Sequence, residues 1–172
     1  MNLNMKKAPL FLVLCLMLFA GNIVSAQGKA FQAMLKTLLA HTVPEIDVTT
    51  AQALQSKNAF LLDARAAREF EVSHLEHARL VGYDDFSLDR VADIPKDSVI
   101  VVYCSVGYRS EKVAEKLIAA GYTRVSNLYG GIFQWVNEEK AVVDKSGQPT
   151  EKVHAYNRTW GVWLQKGKKV YR

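Results

Sequence analysis

Cys104, Gly107, Arg109 and Ser110 fall within one run of seven residues, and their types describe a place where an anion can be made and held. A cysteine sulfur acts as a nucleophile in its thiolate form. A glycine lets a short loop close tightly, so that successive N–H groups turn toward one point. Arg109 adds a fixed cation with a planar donor fork, and Ser110 suits the cap of a helix start. The run Cys104-Ser105-Val106-Gly107-Tyr108-Arg109-Ser110 therefore reads as an active loop, with Cys104 as nucleophile and the loop amides as a cradle for negative charge. A free cysteine after a strand is most often a small buried core residue; Gly107 and the Arg109-Ser110 pair favour the reactive reading here.

Such a loop needs rigid supports on both sides. Ser98 to Tyr103 is β-branched or aromatic after its first residue, without polar alternation, which predicts a fully buried strand. Glu111 to Tyr122 predicts a helix, with Val113, Ala114, Leu117 and Ile118 at core-facing spacing and Gly121 at its C-terminal stop. A helix N-terminus directly behind the loop adds partial positive charge.

The rest of the chain alternates in the same way. Lys29 to His41 has the apolar spacing of a helix in Phe31, Met34, Leu35, Leu38 and Leu39. Ile46 to Val48 is extended, and Thr49 or Thr50 caps a helix to about Ser56. Ala59 to Leu62 is a second buried strand, followed by Asp63-Ala64-Arg65 and a short helix from Ala66 to Phe70. Ala78 to Val81 and Val125 to Leu128 are further short strands, and Gly130-Gly131 opens a helix carrying Ile132, Phe133, Trp135 and Val136. Strands alternating with helices imply an α/β fold with a mainly parallel central sheet and helices on both faces. These sheets bind ligands beyond the carboxyl ends of their strands, where Cys104 falls. Asp63 and Arg65 end a neighbouring strand and are expected in the same crevice; their bland alternative, shared with Glu69, is an ion-pair network fixing that strand end.

The chain has 172 residues, 49% hydrophobic and 23% charged, enough for one domain with a sizeable core. The first 26 residues differ: Lys6-Lys7, then an apolar stretch from Ala8 to Ala20, then Val24-Ser25-Ala26 give the pattern of a cleaved export signal. A retained anchor is the alternative, but the uncharged stretch is short for a span and carries Pro9. Cleavage before Gln27 takes two lysines from a net charge of +5 and also removes Cys15, leaving Cys104 as the lone thiol. Much of the remaining positive charge lies in Lys166, Lys168, Lys169 and Arg172, which reads as a solvated tail rather than a nucleic-acid surface. The expected setting is exported, periplasmic or secreted, with no membrane association after cleavage.

Three blocks resemble the rhodanese-like sulfurtransferase family. The first is LLDARAAREFEVSHLEHA, with Asp63, Arg65, Glu69, Phe70, His74, Leu75 and Ala78 at the family's positions. The second is VVYCSVGYRS, similar to the catalytic loop, with Cys104 in the place of the sulfur-carrying nucleophile. The third is LYGGIFQW, matching the closing Gly130-Gly131 and Trp135. Ser73 and His77 stand where the family usually has glycines around its His-Ile motif. The loop has four residues between Cys104 and Arg109; related dual-specificity phosphatases have five, and the shorter ring suits a single sulfur atom better than a tetrahedral phosphate or arsenate.

The resemblance implies a rhodanese-like domain over residues 46–140; the signal (1–26) and an N-terminal helix (27–45) before it, and an aromatic and basic extension (141–172) after it, lie outside the resemblance. It implies a sulfurtransferase that carries sulfane sulfur on Cys104, from a small sulfur-containing anion such as thiosulfate to cyanide, a thiol or a protein acceptor. Neither an organic cofactor nor a metal is required. His74 and His77 flank Glu76, but His-Leu-Glu-His does not match the helical zinc motifs, and the resemblance gives His74 a turn role. A protein-docked sulfur-relay module and a thiol redox sensor are the rival readings. In the extension, Tyr156, Trp160, Trp163 and Tyr171 are too aromatic for a disordered tail. They are expected to extend the core on a sheet face; the alternatives are a border over the Cys104 crevice and a surface for a partner protein.

Overall fold

The computed structural model describes residues 27–172, and the export signal expected at 1–26 lies outside the described residues. By its contacts the chain divides between Met34 and Leu35. Residues 27–38 are helical (α1), and the architecture below is that of residues 35–172.

Five strands form the central sheet: β1 (Glu45–Ile46), β2 (Phe60–Asp63), β3 (Arg79–Leu80), β4 (Val99–Tyr103) and β5 (Arg124–Leu128). Their order is β1-β5-β4-β2-β3, and every pairing is parallel. β4 lies at the centre, with Val101 opposite Leu61 on one side and opposite Ser126 on the other. Its apolar, β-branched run has no polar face because both faces are covered. Ile100, Val102 and Cys104 join the core formed with Val113, Ala114 and Leu117 of α4 (Tyr108–Ala119). Val101 and Tyr103 point the other way and are equally buried; the Tyr103 hydroxyl accepts the Leu75 N–H at 3.1 Å.

α2 (Val48–Gln55) is capped by the Asp47 carboxylate, which accepts the Thr50 N–H at 2.7 Å. This replaces the threonine cap expected from the sequence: the cap lies two residues before Thr49, so both threonines lie inside the helix. α3 (Ala67–Val72) follows β2, and α5 (Gly131–Asn137) follows β5. α4 stops at Gly121, whose φ of +90° is the left-handed turn that a glycine supplies. Ile118 is corrected: it is 41% exposed, because Val113, Ala114 and Leu117 already fill the face turned to the sheet.

After α5 come a short antiparallel hairpin, β6 (Val142–Val143) with β7 (Pro149–Thr150), and a parallel pair, β8 (Lys152–His154) with β9 (Lys168–Val170). A one-turn helix, α6 (Arg158–Gly161), lies between β8 and β9. Val143 and His74 exchange backbone hydrogen bonds at 2.8 and 2.9 Å, tying the hairpin to the turn after α3. Val153, Ala155 and Leu164 are buried, and β8 packs against α3. No helix among the described residues is long and apolar enough to cross a membrane.

Candidate active site

Cys104 follows β4 directly and α4 begins four residues later, so the loop Cys104–Gly107 closes the gap between a central strand and a helix start. Two features turn its backbone. Gly107 is the N-cap of α4 at φ +112°, a conformation that L side chains rarely adopt. From the other side, the N-terminus of α5 takes the loop carbonyls: the Ile132 N–H donates to the Cys104 oxygen at 2.9 Å and the Phe133 N–H to the Ser105 oxygen at 3.1 Å. With those carbonyls drawn away, the Gly107 N–H is free to donate to Cys104 Sγ at 3.1 Å. A Cβ on Gly131 would lie 2.3 Å from the Cys104 oxygen and 2.8 Å from Ser105 backbone atoms. That close approach explains the glycine.

Ser110 does not cap the helix. With Gly107 as N-cap it lies in the first turn, buried, with Oγ 2.7 Å from Asn127 Oδ1 and 3.1 Å from the Gly107 oxygen. Asn127 Nδ2 donates to the same Gly107 oxygen at 3.0 Å. Asn127 on β5 therefore holds the loop from below. A buried asparagine at the end of a strand is a signal the sequence carries, though one without an evident partner.

Arg109 is turned toward Glu69 of α3. Nη1 reaches one carboxylate oxygen and Nη2 the other, both at 2.8 Å, and Nη2 also lies 3.0 Å from Ser105 Oγ. Ser105 Oγ donates to Glu69 at 3.1 Å, and the Ala66 N–H donates to it at 3.1 Å. Burial alone would push the Glu69 carboxyl upward. The Arg109 hydrogen bonds and charge outweigh it, and with Arg65 and Ala66 they bring the group down to about 2. Burial works against the Arg109 cation too, but Glu69 holds it above the ordinary arginine range. Glu69 thus belongs to the loop, not to the strand end.

Asp63 and Arg65 are corrected in the opposite sense. Both are fully buried and neither lines the crevice. Arg65 donates from Nε and Nη2 to the Asp63 carboxylate at 2.7–3.1 Å, and Nη2 also reaches the Ser73 carbonyl at 2.6 Å. Burial would lower Arg65, and Asp63 more than offsets that. The pair braces the end of β2 where it meets the turn after α3. His74 has a turn role as well: it stacks on Phe70 at 3.7 Å and its Nδ1 lies 3.0 Å from the Phe70 carbonyl. His77 is exposed at φ +64°, holding a side chain where a glycine would be relaxed.

Cys104 is only 1% exposed, yet it forms part of the floor of a crevice of ≈ 380 Å³ with Ser105, Val106 and Arg109. Tyr83, Asp84 and Tyr108 stand on its sides. Tyr156 and Trp160 of the extension border it as well, with the Arg109 guanidinium carbon 5.2 Å from the Tyr156 ring centre. The expectation that the extension's aromatics enlarge a sheet-face core is therefore corrected for these two residues, while Val153, Ala155 and Leu164 supply its buried part.

Against known proteins, the family profile described as "Rhodanese-like domain" matches residues 47–138. The chain is 29% identical over 133 residues to "Thiosulfate sulfurtransferase 18" of Arabidopsis thaliana, covering 69% of this chain and 97% of that protein. It is 34% identical over 107 residues to "Protein HIGH ARSENIC CONTENT 1, mitochondrial" of the same plant, covering 55% and 63% respectively. The crystal structure of thiosulfate sulfurtransferase from Pseudomonas aeruginosa superposes with a TM-score of 0.57 at 22% identity, over 66% of this chain and 23% of that one.

Proposed function

The chain belongs to the rhodanese-like domain family, and from that premise we propose that it is a sulfurtransferase working by double displacement on Cys104. The observation that carries this reading is the Gly107 N–H directed at Cys104 Sγ from the start of a twelve-residue helix. An amide and a helix N-terminus both favour negative charge on the sulfur they face. The Cys104 thiolate attacks the outer sulfur of a donor such as thiosulfate. The donor S–S bond breaks, sulfite leaves with the bonding pair, and Cys104 carries a persulfide. An acceptor, cyanide or a thiol, attacks that outer sulfur and returns the electron pair to Sγ. The loop N–H groups from Ser105 to Ser110 hold the anionic sulfur in both steps, as an oxyanion hole holds oxygen.

Arg109 acts less directly. Its fork is occupied by Glu69, so it stiffens the loop through Ser105 rather than meeting the donor as a free cation. The four-residue spacing to Cys104 supports sulfur over arsenate or phosphate as the group bound. Export to the periplasm, read from residues 1–26, is part of this proposal, as is a thiol or protein acceptor there.

Intact mass of the purified chain after thiosulfate, with and without cyanide, tests the reading. A gain of one sulfur that cyanide removes, absent in Cys104→Ser, is the expected result. Sulfur that only a docked protein removes indicates a relay module, and a gain of oxygen alone indicates a redox sensor. No gain overturns the assignment.

A further inference from the structure

We infer that Tyr156 and Trp160 set the acceptor specificity of the Cys104 crevice, making its preferred partner an organic thiol with an aromatic or apolar body rather than a small inorganic nucleophile; the inference rests on the sulfurtransferase reading above. Both residues lie beyond the matched 47–138 segment, so the domain's own fold does not require them at this place.

Their positions are built. Tyr156 holds φ +62°, a strained value for a residue with a side chain. Its N–H donates to Nδ1 of His154 at 3.1 Å, and His154 is itself 1% exposed. Burial lowers the His154 pKa, which keeps Nδ1 available as an acceptor. The turn so fixed lays the Tyr156 ring over the Arg109 guanidinium. Trp160 is set by the next turn, where its N–H donates to the Asn157 side-chain oxygen at 3.0 Å.

The crevice they border suits an organic body in charge, surface and size. Arg109 and Glu69 neutralise each other on its floor, so a small dianion meets no free fork there. At the sides Arg68 and Asp84 have opposite signs. Leu38, Val106, Tyr83 and Tyr108 continue the apolar surface of Tyr156 and Trp160. A volume of ≈ 380 Å³ lies in the range of pockets that take drug-sized organic ligands, whereas cyanide or thiosulfate leaves most of it to water. A thiol bearing an aromatic group fills the space, and its thiolate attacks the outer sulfur of the Cys104 persulfide. The S–S bond breaks, its electron pair returns to Sγ, and the acceptor departs as an aryl-bearing persulfide.

The test loads the full chain with thiosulfate, confirms the persulfide by mass, and measures its discharge by phenylmethanethiol and by 2-mercaptoethanol. Both are alkyl thiols, and they differ in the aryl group. The expected ratio of rate constants favours phenylmethanethiol in wild type and falls about tenfold in Trp160→Ala and in Tyr156→Ala, the size expected for losing one large apolar contact. Trp160→Phe should restore most of it. An equal fall for both thiols, or an unchanged ratio, overturns the inference while leaving the sulfurtransferase reading intact. Absence of loading overturns that reading instead. In that case, or should an alanine variant fail to fold, protection of wild-type Cys104 decides. Phenylmethanol, which cannot accept sulfur, should slow alkylation by iodoacetamide several-fold, and no slowing overturns the aromatic wall.

Discussion

Arg109 lays both arms of its guanidinium on the Glu69 carboxylate, 2.8 Å to each oxygen, across 40 residues of sequence. The pair joins the first turn of α4 to α3 and catches Ser105 between them, so the loop that carries Cys104 is clamped from a distant element. A clamp of this kind stores stability in an ionised state, which acid can remove.

Glu69→Gln should therefore lower stability at neutral pH and narrow the acid limb. The folded carboxyl sits at about 2, below its usual 4.5, so the unfolded chain takes up the proton first as pH falls. The carboxylate's contribution, on the order of 3 kcal/mol, is complete above about pH 4.5 and is lost toward pH 2. Urea unfolding at pH 7 and pH 3 measures it. The gap between wild type and variant should be widest at pH 7 and shrink at pH 3; a constant gap would mean that the variant loses packing rather than charge.

Two glycines that share a positive φ should respond differently to alanine. Gly121→Ala faces open space and bears only the left-handed strain of φ +90°, roughly 1–2 kcal/mol. Gly131→Ala puts its Cβ 2.3 Å from the Cys104 carbonyl oxygen, and a backbone atom hydrogen-bonded to Ile132 cannot step aside. Its loss of melting temperature should be clearly the larger, and it alone should slow Cys104 alkylation. Equal effects on alkylation would show that the loop does not depend on α5.

What could be read beforehand was what is contiguous. The strand–loop–helix around Cys104 shows in a single stretch because apolar runs, the glycine and the helix period all lie side by side, and the alternation of such units implies the parallel sheet. Glu69, Asn127 and Gly131 reach the same loop from α3, β5 and α5, and spacing along the chain does not say which polar residue meets which. Asp63 and Arg65 show the same limit in reverse. They end a strand beside Cys104, but two residues apart they close on each other instead of the crevice. For Tyr156 and Trp160, aromatic content predicts burial without saying on which side the chain returns.

That buried Asp63–Arg65 pair leads to a sharp expectation for Asp63→Asn. Removing one charge leaves the Arg65 cation without its counter-ion at full burial, a change that usually costs about 3–5 kcal/mol. Chemical denaturation should show a loss of that order. Variant protein that remains folded should still load sulfur at Cys104, since neither residue lines the crevice. Normal stability with lost loading would place the pair back in the site.

Truncation before Pro149 separates the two roles of the extension. It removes β7, β8, β9 and α6, and with them the buried side chains of Val153 and Leu164, each of which contributes about 1.5–3 kcal/mol. It also strips the cover that β8 provides for α3, the helix that carries Glu69. The shortened chain should lose its cooperative thermal transition or melt far below the full chain. The single-residue change Trp160→Ala, at a half-buried rim position, should leave the transition cooperative. Thermal unfolding followed by circular dichroism distinguishes them. A truncated chain as stable as the full one would show that the extension adds nothing to the core and serves the crevice alone.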